Sequence, residues 1–596
     1  MLSDLPSDCI FAKPSLPKTA LQDLILRPIG VYVLSGLATQ GDRLLSIDTV
    51  RGYLVAIDPR TNNTKVLNPY HIDDWLDATG LALGQDRLWF TRGEVVFYYE
   101  GLPPEGGYDS TQLPQRFVEL PYEVNGIAVW DNILYITCQK SGYIHLYDSG
   151  TGRLLNKLPQ PGVGKTSITA TEEELWLCDR TEQTVYCLDR TTGSLKFSAL
   201  TPFSNPAGIT LYSPAQPKRK VTKRKTAAST VASPEANATP ASLEDSSTGD
   251  RICYIVYSDE EPYIRDDPNA DSPYQLTFRD RTFIHPLRIY NNPDQRYTLS
   301  NGYLIELSYV EELQPLDAIT LQNVEWRMAL PADTLRQRVR QVEAIGYPFT
   351  EVEQEGQRVA VFKFDQLQPF QGGIFGWKAI LEMYSLKYYL SPADVEDCPP
   401  LAPEFQQRYL VDDDELAMDN PIIQAAAQEA IGTETNVLRK ILKIRNYVYD
   451  RLSYGIQPRI STPDVALERG VGSCGEYVGI ILALARLNGI ACRTIGRYKC
   501  PPHNDRRYLP LEPDFNHVWL EFYLPGLGWL PMESNVDDVV ERGPYPTRFF
   551  MGLSWYHTEL GKGISFEKLF APNLPNPFSI QDLAINHIRF RILEEL

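Results

Sequence analysis

The sequence predicts a multidomain fold, mainly β and then α+β: a β-propeller, a β-sandwich, and a C-terminal unit that mixes helices with strands. Three observations predict it. Short apolar strands recur at steps of 41 to 46 residues through the first third of the chain, the period of a propeller blade. Alternating apolar and polar segments then run to about residue 400 with little helical spacing. Helical spacing begins only after Asn420 and leads into a cysteine, a histidine and a carboxylate in separate motifs.

The bulk composition limits the function classes. A chain of 596 residues is too long for one core, so about three domains are expected. A net charge of −19 argues against general nucleic-acid binding. No uncharged apolar run approaches the length of a membrane span. The N-terminal segment 1–30 has neither a basic start nor a sustained apolar core, so it does not read as a signal peptide. Nine cysteines, an odd number thinly spread, do not read as a disulfide framework; a reducing, cytoplasmic setting is the expectation.

The propeller is expected over 31–272. Its units begin Ser35-Gly36-Leu37-Ala38, Thr79-Gly80-Leu81-Ala82, Asn125-Gly126-Ile127-Ala128, Thr166-Ser167-Ile168-Thr169 and Ala207-Gly208-Ile209-Thr210. A small residue lets an innermost strand crowd the channel, and the Asp58, Asp148 and Asp189 turns close outer hairpins. Five units are visible, and unpaired segments could complete a sixth. Residues 213–250 are rich in Ser, Thr, Ala, Pro and Lys, which reads as a disordered insertion within the last unit. Its basic run Pro217 to Lys225 reads as a solvated spacer. The Gly164-Lys165-Thr166 fragment lacks the leading glycine of a phosphate loop, since Pro159 stands there, and it precedes a strand.

The β-sandwich is expected over 273–410, with strands such as Gly302 to Tyr309 and Arg358 to Phe364 and one possible helical turn near Thr334 to Val342. From 411 to 596 the α+β unit follows. Asn420-Pro421 opens one helix, Asn436 to Tyr449 carries a second at largely helical spacing, and Val465 to Gly470 forms a short third. Next come Gly472-Ser473-Cys474-Gly475-Glu476-Tyr477, an apolar helix to Leu487, Gly489-Ile490-Ala491-Cys492-Arg493, His517-Val518-Trp519, and Gly528-Trp529-Leu530-Pro531-Met532-Glu533.

That order of motifs resembles the transglutaminase-like core, within the wider papain-like Cys-His-acid group, over about Asn420 to Thr558. The preceding sandwich looks like the N-terminal domain that bacterial members often carry. The resemblance implies Cys474 as nucleophile, His517 as its acid–base partner 43 residues on, and Glu533 a further 16 on as the group that orients the imidazole. A cysteine at a helix N-terminus, with Ser473 as cap, suits a thiolate. Alternation along the strand puts Trp519 on the face of His517, where it can wall the site. Tyr477 and Arg493 are expected as support, Arg493 in a structural ion pair. The family generally has Asp where Glu533 stands, and Asn535 or Asp537 could orient His517 instead.

The function this implies is thiol-dependent acyl transfer on protein or peptide amides, by a peptidase, an amidase or a transglutaminase. The propeller is expected to serve as a platform for a substrate or a protein partner. No cofactor, metal, specific nucleic acid or membrane is expected. Cys492, Cys500 and His503 do not complete a zinc set. The alternative is a catalytically weak or inactive binding or assembly protein on the same core. A metal-dependent lactonase-like propeller finds no set of inward carboxylates and histidines to support it.

Overall fold

The computed structural model describes residues 25–213, 251–258, 282–313, 320–369, 371–413, 415–457, 459–503, 506–513, 516–574, 580 and 583–596. Residues 214–250 of the expected insertion, with the basic run, lie outside the described residues, as do 1–24 of the N-terminal segment.

Five small antiparallel sheets occupy the chain up to residue 287. They are led by the strands Leu34–Gln40, Ala78–Gly84, Gly126–Trp130, Thr166–Ala170 and Pro206–Tyr212. Each leading strand lies beside the next, and the fifth lies beside the first. The small residues of the repeat make this approach possible. A Cβ on Gly126 would meet the Thr166 carbonyl at 2.6 Å, and one on Gly208 would meet the backbone of Gly36 at 2.9 Å. The recurring aspartates close turns by accepting backbone N–H groups: Asp148 from Thr151 at 2.7 Å and Asp189 from Thr192 at 2.8 Å. The fifth sheet joins Pro206–Tyr212, Ile252–Tyr257 and Phe283–Leu287, so its last strand lies past the expected division at 272. Leu26 exchanges backbone hydrogen bonds with Ile284 at 2.8 and 2.9 Å, covering the edge of that strand.

Two larger sheets follow. One carries Tyr297–Leu313, Gly373–Tyr388 and Gln337–Ile345; the other carries Thr350–Gln354, Gln357–Leu367 and Leu321–Ala329. Their shared core holds Ile305, Leu307, Trp326, Phe362, Phe375 and Trp377, all buried. The possible helical turn at 334–342 is corrected to strand over Gln337–Ile345. A bulge between Val339 and Gln341 shifts the register there, so three-residue apolar spacing is compatible with a strand. The last strands of the chain return to this unit rather than staying with the C-terminal one: Ala584–Glu595 pairs with Tyr297–Leu313, and Glu567–Phe570 with Leu321–Ala329. Antiparallel pairing satisfies backbone groups that would otherwise stand open along those edges.

The remaining unit packs helices against one sheet, among them the short Pro403–Tyr409, whose Phe405 lies against Tyr523. Helices Pro421–Ile431 and Val437–Tyr449 begin on Asn420 and Asn436, whose side chains accept the N–H of Ile422 at 2.9 Å and of Leu438 at 3.1 Å. Helix Pro463–Arg469 follows, and Cys474–Leu487 is the last and most buried. The sheet has the spatial order Gly528–Met532, His517–Leu524, Cys492–Lys499, His557–Leu560. Contacts tie this unit to the five-sheet region: Trp555 Nε1 donates to the Pro202 carbonyl at 2.9 Å, and the Thr547 N–H donates to Glu182 at 2.8 Å. Among the described residues, no helix is long and apolar enough to cross a membrane.

Candidate active site

The helix that starts at Cys474 is fixed by what precedes and what covers it. Glu476 reaches back to accept the Ser473 N–H at 2.9 Å and the Ser473 hydroxyl at 2.5 Å. Its other oxygen accepts the Ser461 N–H at 3.2 Å and pairs with Arg469 at 3.3 Å. Ile480, Ile481, Leu482 and Leu484 are buried against the two Asn-capped helices and the sheet, so the helix cannot shift along its axis without opening the core. Gly489, in the left-handed region at φ +74°, ends it. Cys474 is thereby held half-buried in the first turn, where backbone N–H groups lack helical partners.

The sheet brings the other groups to that point. Arg497 lies opposite His517, and Lys499 lies opposite His557, on either side of the central Cys492–Lys499 strand. Glu533 follows the Gly528–Met532 strand directly, its N–H donating to the Phe549 carbonyl at 3.0 Å. His517 Nε2 stands 2.8 and 3.0 Å from the two Glu533 oxygens. Cys474 and His517 also act on each other's charge, each shifting the other's proton affinity. The thiol lies 4.0 Å from the Asn516 carbonyl as well. His517 and Glu533 are both buried.

Charge follows from this arrangement. Burial alone would raise the Cys474 thiol, but the hydrogen bond to His517 and the imidazole charge outweigh it and bring the thiol below its ordinary value. Burial alone would lower His517; the Glu533 charge and the hydrogen bonds to Cys474 and Glu533 overcome that and raise it, with Lys499 opposing. Glu533 is pushed up by burial, yet His517 and Lys499 hold it well below the usual carboxylate range. A lowered thiol beside a raised imidazole favours a thiolate–imidazolium pair.

The expected supporting residues sit around this group in distinct ways. Trp519 is fully buried, its ring 6.0 Å from His517 and 5.1 Å from His557, so it backs the imidazoles from inside the core instead of facing an opening. Tyr477 is also buried, donating through its hydroxyl to the Leu452 carbonyl at 3.0 Å or Asp538 at 2.7 Å. Arg493 pairs with Glu521 at 2.7 Å and lies 4.1 Å over the Trp529 ring. It borders a cavity of about 400 Å³ whose lining includes Arg336, Glu559 and Lys562 but neither Cys474 nor His517. Asp537 is engaged elsewhere, accepting from Arg548 Nε at 2.7 Å and the Phe549 N–H at 3.2 Å, and Asn535 accepts the Ser534 hydroxyl at 2.9 Å.

Two residues at this site carry no local signal in the sequence. Lys499 Nζ lies 2.8 Å and His557 Nε2 2.7 Å from Glu533 Oε1. They are 58 positions apart, and only the pairing of their strands brings them together.

Residues 424–534 match the model of the transglutaminase-like superfamily. No curated protein matches the chain. Among solved structures, a candidate cysteine protease from Cytophaga hutchinsonii overlays with a TM-score of 0.36 at 15% identity, covering 50% of this chain and 93% of its own. The glutaminyl cyclase of Myxococcus xanthus overlays at 0.24 and 15% identity, covering 31% and 83% respectively. A chain of a nidogen–laminin complex overlays at 0.24 and 13% identity, covering 29% and 65%. The match of the family model, over the segment that holds Cys474, His517 and Glu533, identifies residues 424–534 as a domain of the transglutaminase-like superfamily.

Proposed function

We propose that the chain is a thiol enzyme that takes the acyl group of a protein or peptide amide, with Cys474 as nucleophile, His517 as acid and base, and Glu533 as the carboxylate that orients the imidazole. The observation that carries this reading is one buried imidazole held 2.8 Å from a buried carboxylate and coupled in charge to a thiol at a helix N-terminus. A relic core would have no need of that arrangement, so the contact favours an enzyme over a purely binding protein.

In the reaction, the Cys474 thiolate attacks the amide carbonyl and a C–S bond forms. The oxyanion is met by backbone N–H groups at the start of the helix, that of Cys474 among them. His517 gives its proton to the leaving nitrogen as the C–N bond breaks, leaving a thioester. Water or an amine then gives a proton to His517 and attacks the thioester; the C–S bond breaks and the thiolate–imidazolium pair is restored. Glu533 keeps the ring in place through both halves.

The five-sheet ring reads best as a five-bladed propeller that recruits a protein partner or substrate. Support comes from the closed succession of leading strands and from the Leu26 contact that covers the edge of the last sheet.

The test is iodoacetamide labelling at pH 6. Cys474 is expected to react well ahead of the other thiols, and Cys474→Ala to abolish that fast phase. A fast phase that survives in Cys474→Ala, or a Cys474 that reacts only near the pH of an ordinary thiol, would falsify the assignment. Incubation of the active protein with peptide mixtures and an amine donor, followed by mass spectrometry, separates new termini from new isopeptide bonds.

A further inference from the structure

Glu533 is surrounded by more donors than an orienting carboxylate needs. Oε1 receives Lys499 Nζ at 2.8 Å and His557 Nε2 at 2.7 Å; Oε2 receives the Ser534 N–H at 3.1 Å; His517 Nε2 spans both at 3.0 and 2.8 Å. Four donors fill the roughly four lone-pair sites of a carboxylate. They reach it from different strands. His517 and Lys499 lie on adjacent strands, and Lys499 and His557 are directly opposite across the next pair, so their side chains leave the sheet on one face. Resting on the proposed thiol site, we propose that Lys499 and His557 are positioning residues that share the charge of Glu533 and so limit how tightly the imidazole of His517 holds its proton.

An unshared carboxylate 2.8 Å from the ring would make the imidazolium a poor acid for the leaving nitrogen. Lys499 brings its ammonium to the same oxygen at 2.8 Å, and its side chain is 23% exposed, so it also reaches water. His557 supplies a neutral donor. Its side chain is fully buried between Trp519 and Phe549, with ring centroids 5.1 and 5.3 Å away, and burial pushes it down to about 3 despite the hydrogen bond to Glu533. Its Nε2 faces the Glu533 carboxylate at 2.7 Å and its Nδ1 the Ser554 carbonyl at 3.2 Å, so Nε2 is the nitrogen that donates to Glu533. From the middle unit, Arg336 adds a positive charge near His557: it donates to the His557 carbonyl at 2.8 Å and pairs with Glu559 at 2.8 Å. The groups that set the proton of His517 are therefore Cys474, Glu533, Lys499 and, through Glu533, His557.

The experiment follows the rate of Cys474 alkylation by iodoacetamide against pH in the full chain. Wild type is expected to rise in two steps, one as the thiolate–imidazolium pair forms and one as the imidazolium loses its proton. Lys499→Met is expected to move the upper step up by about one pH unit, because a positive charge near the ring is gone, and Lys499→Arg to restore it. His557→Leu is expected to move the upper step up as well, by less, with His557→Gln, which keeps a neutral donor, returning it most of the way. If the Lys499→Met profile superimposes on a two-step wild-type profile, the inference fails and the thiol site stands. A wild-type profile with one step at the pH of an ordinary thiol overturns both. Lys499 is partly exposed, so its variants report even if those at buried 557 do not fold.

Discussion

Glu533 stands where the family it resembles generally has Asp, and its additional methylene has a visible use. The backbone at 533 is pinned by the bond to the Phe549 carbonyl, and the carboxylate must cross to the strands of His517, Lys499 and His557. Shortening the arm draws the oxygens back by roughly 1.5 Å, the length of a C–C bond, which exceeds the tolerance of those contacts. Glu533→Asp is expected to slow Cys474 alkylation at pH 6 by about tenfold, since an ångström of misplacement costs that much or more at such sites. An unchanged rate would show that the imidazole is oriented by something else. Cys474, His517 and Glu533 could be proposed from the sequence because each sits in its own short motif at the end of a recognisable element. Lys499 and His557 could not: both look like ordinary residues on β-strands, and their meeting depends on a strand order that local spacing does not encode.

At the scale of elements, the helix N-terminus carries the most consequence for chemistry. The sequence offers Ser473 as cap, yet the wider tie is Glu476, which joins Ser473, Ser461 and Arg469 while its side chain is fully buried. Removing it frees the Ser473 and Ser461 N–H groups and leaves Arg469 without that partner. Glu476→Ala is expected to cost about 1–2 kcal/mol from lost capping, lowering the melting temperature of the transition that includes this domain by on the order of 5 °C. Differential scanning calorimetry checks it, and Glu476→Gln, which keeps an acceptor, is expected to recover part of the loss. Helices here were readable from Asn420, Asn436 and apolar spacing. The Gln337–Ile345 strand was not, because Val339 and Val342 are three apart, as on a helix, and the bulge that makes this a strand spacing is set by its partner, Gly373–Tyr388.

For the whole molecule, the question is what couples the five-sheet region to the thiol site. The repeat of small residues and aspartates made that region readable, but nothing in it foretold the contacts with segment 547–550. There Glu182 accepts the Thr547 N–H at 2.8 Å, and Lys387 from the middle unit donates to the Arg548 and Phe550 carbonyls, each at 3.0 Å. Phe549, within the same segment, accepts the Glu533 N–H. All three regions thus grip one short loop beside Glu533. Burial, with the nearby Asp179 charge, raises Glu182 from 4.5 to about 7, against the pull of Lys387. In the unfolded chain the carboxyl ionises at its ordinary value. The contribution of Glu182 is therefore fully present below about pH 4.5 and is lost as pH rises through about 7. Asp179, raised to about 6 by burial, acts in the same direction and is left in place by a change at 182. Glu182→Gln keeps an acceptor for Thr547 and cannot ionise. Its melting temperature, relative to wild type, is expected to rise steadily between pH 4.5 and 7 and to level off above. Parallel curves for the two proteins across that window would mean that Glu182 does not link this interface to pH.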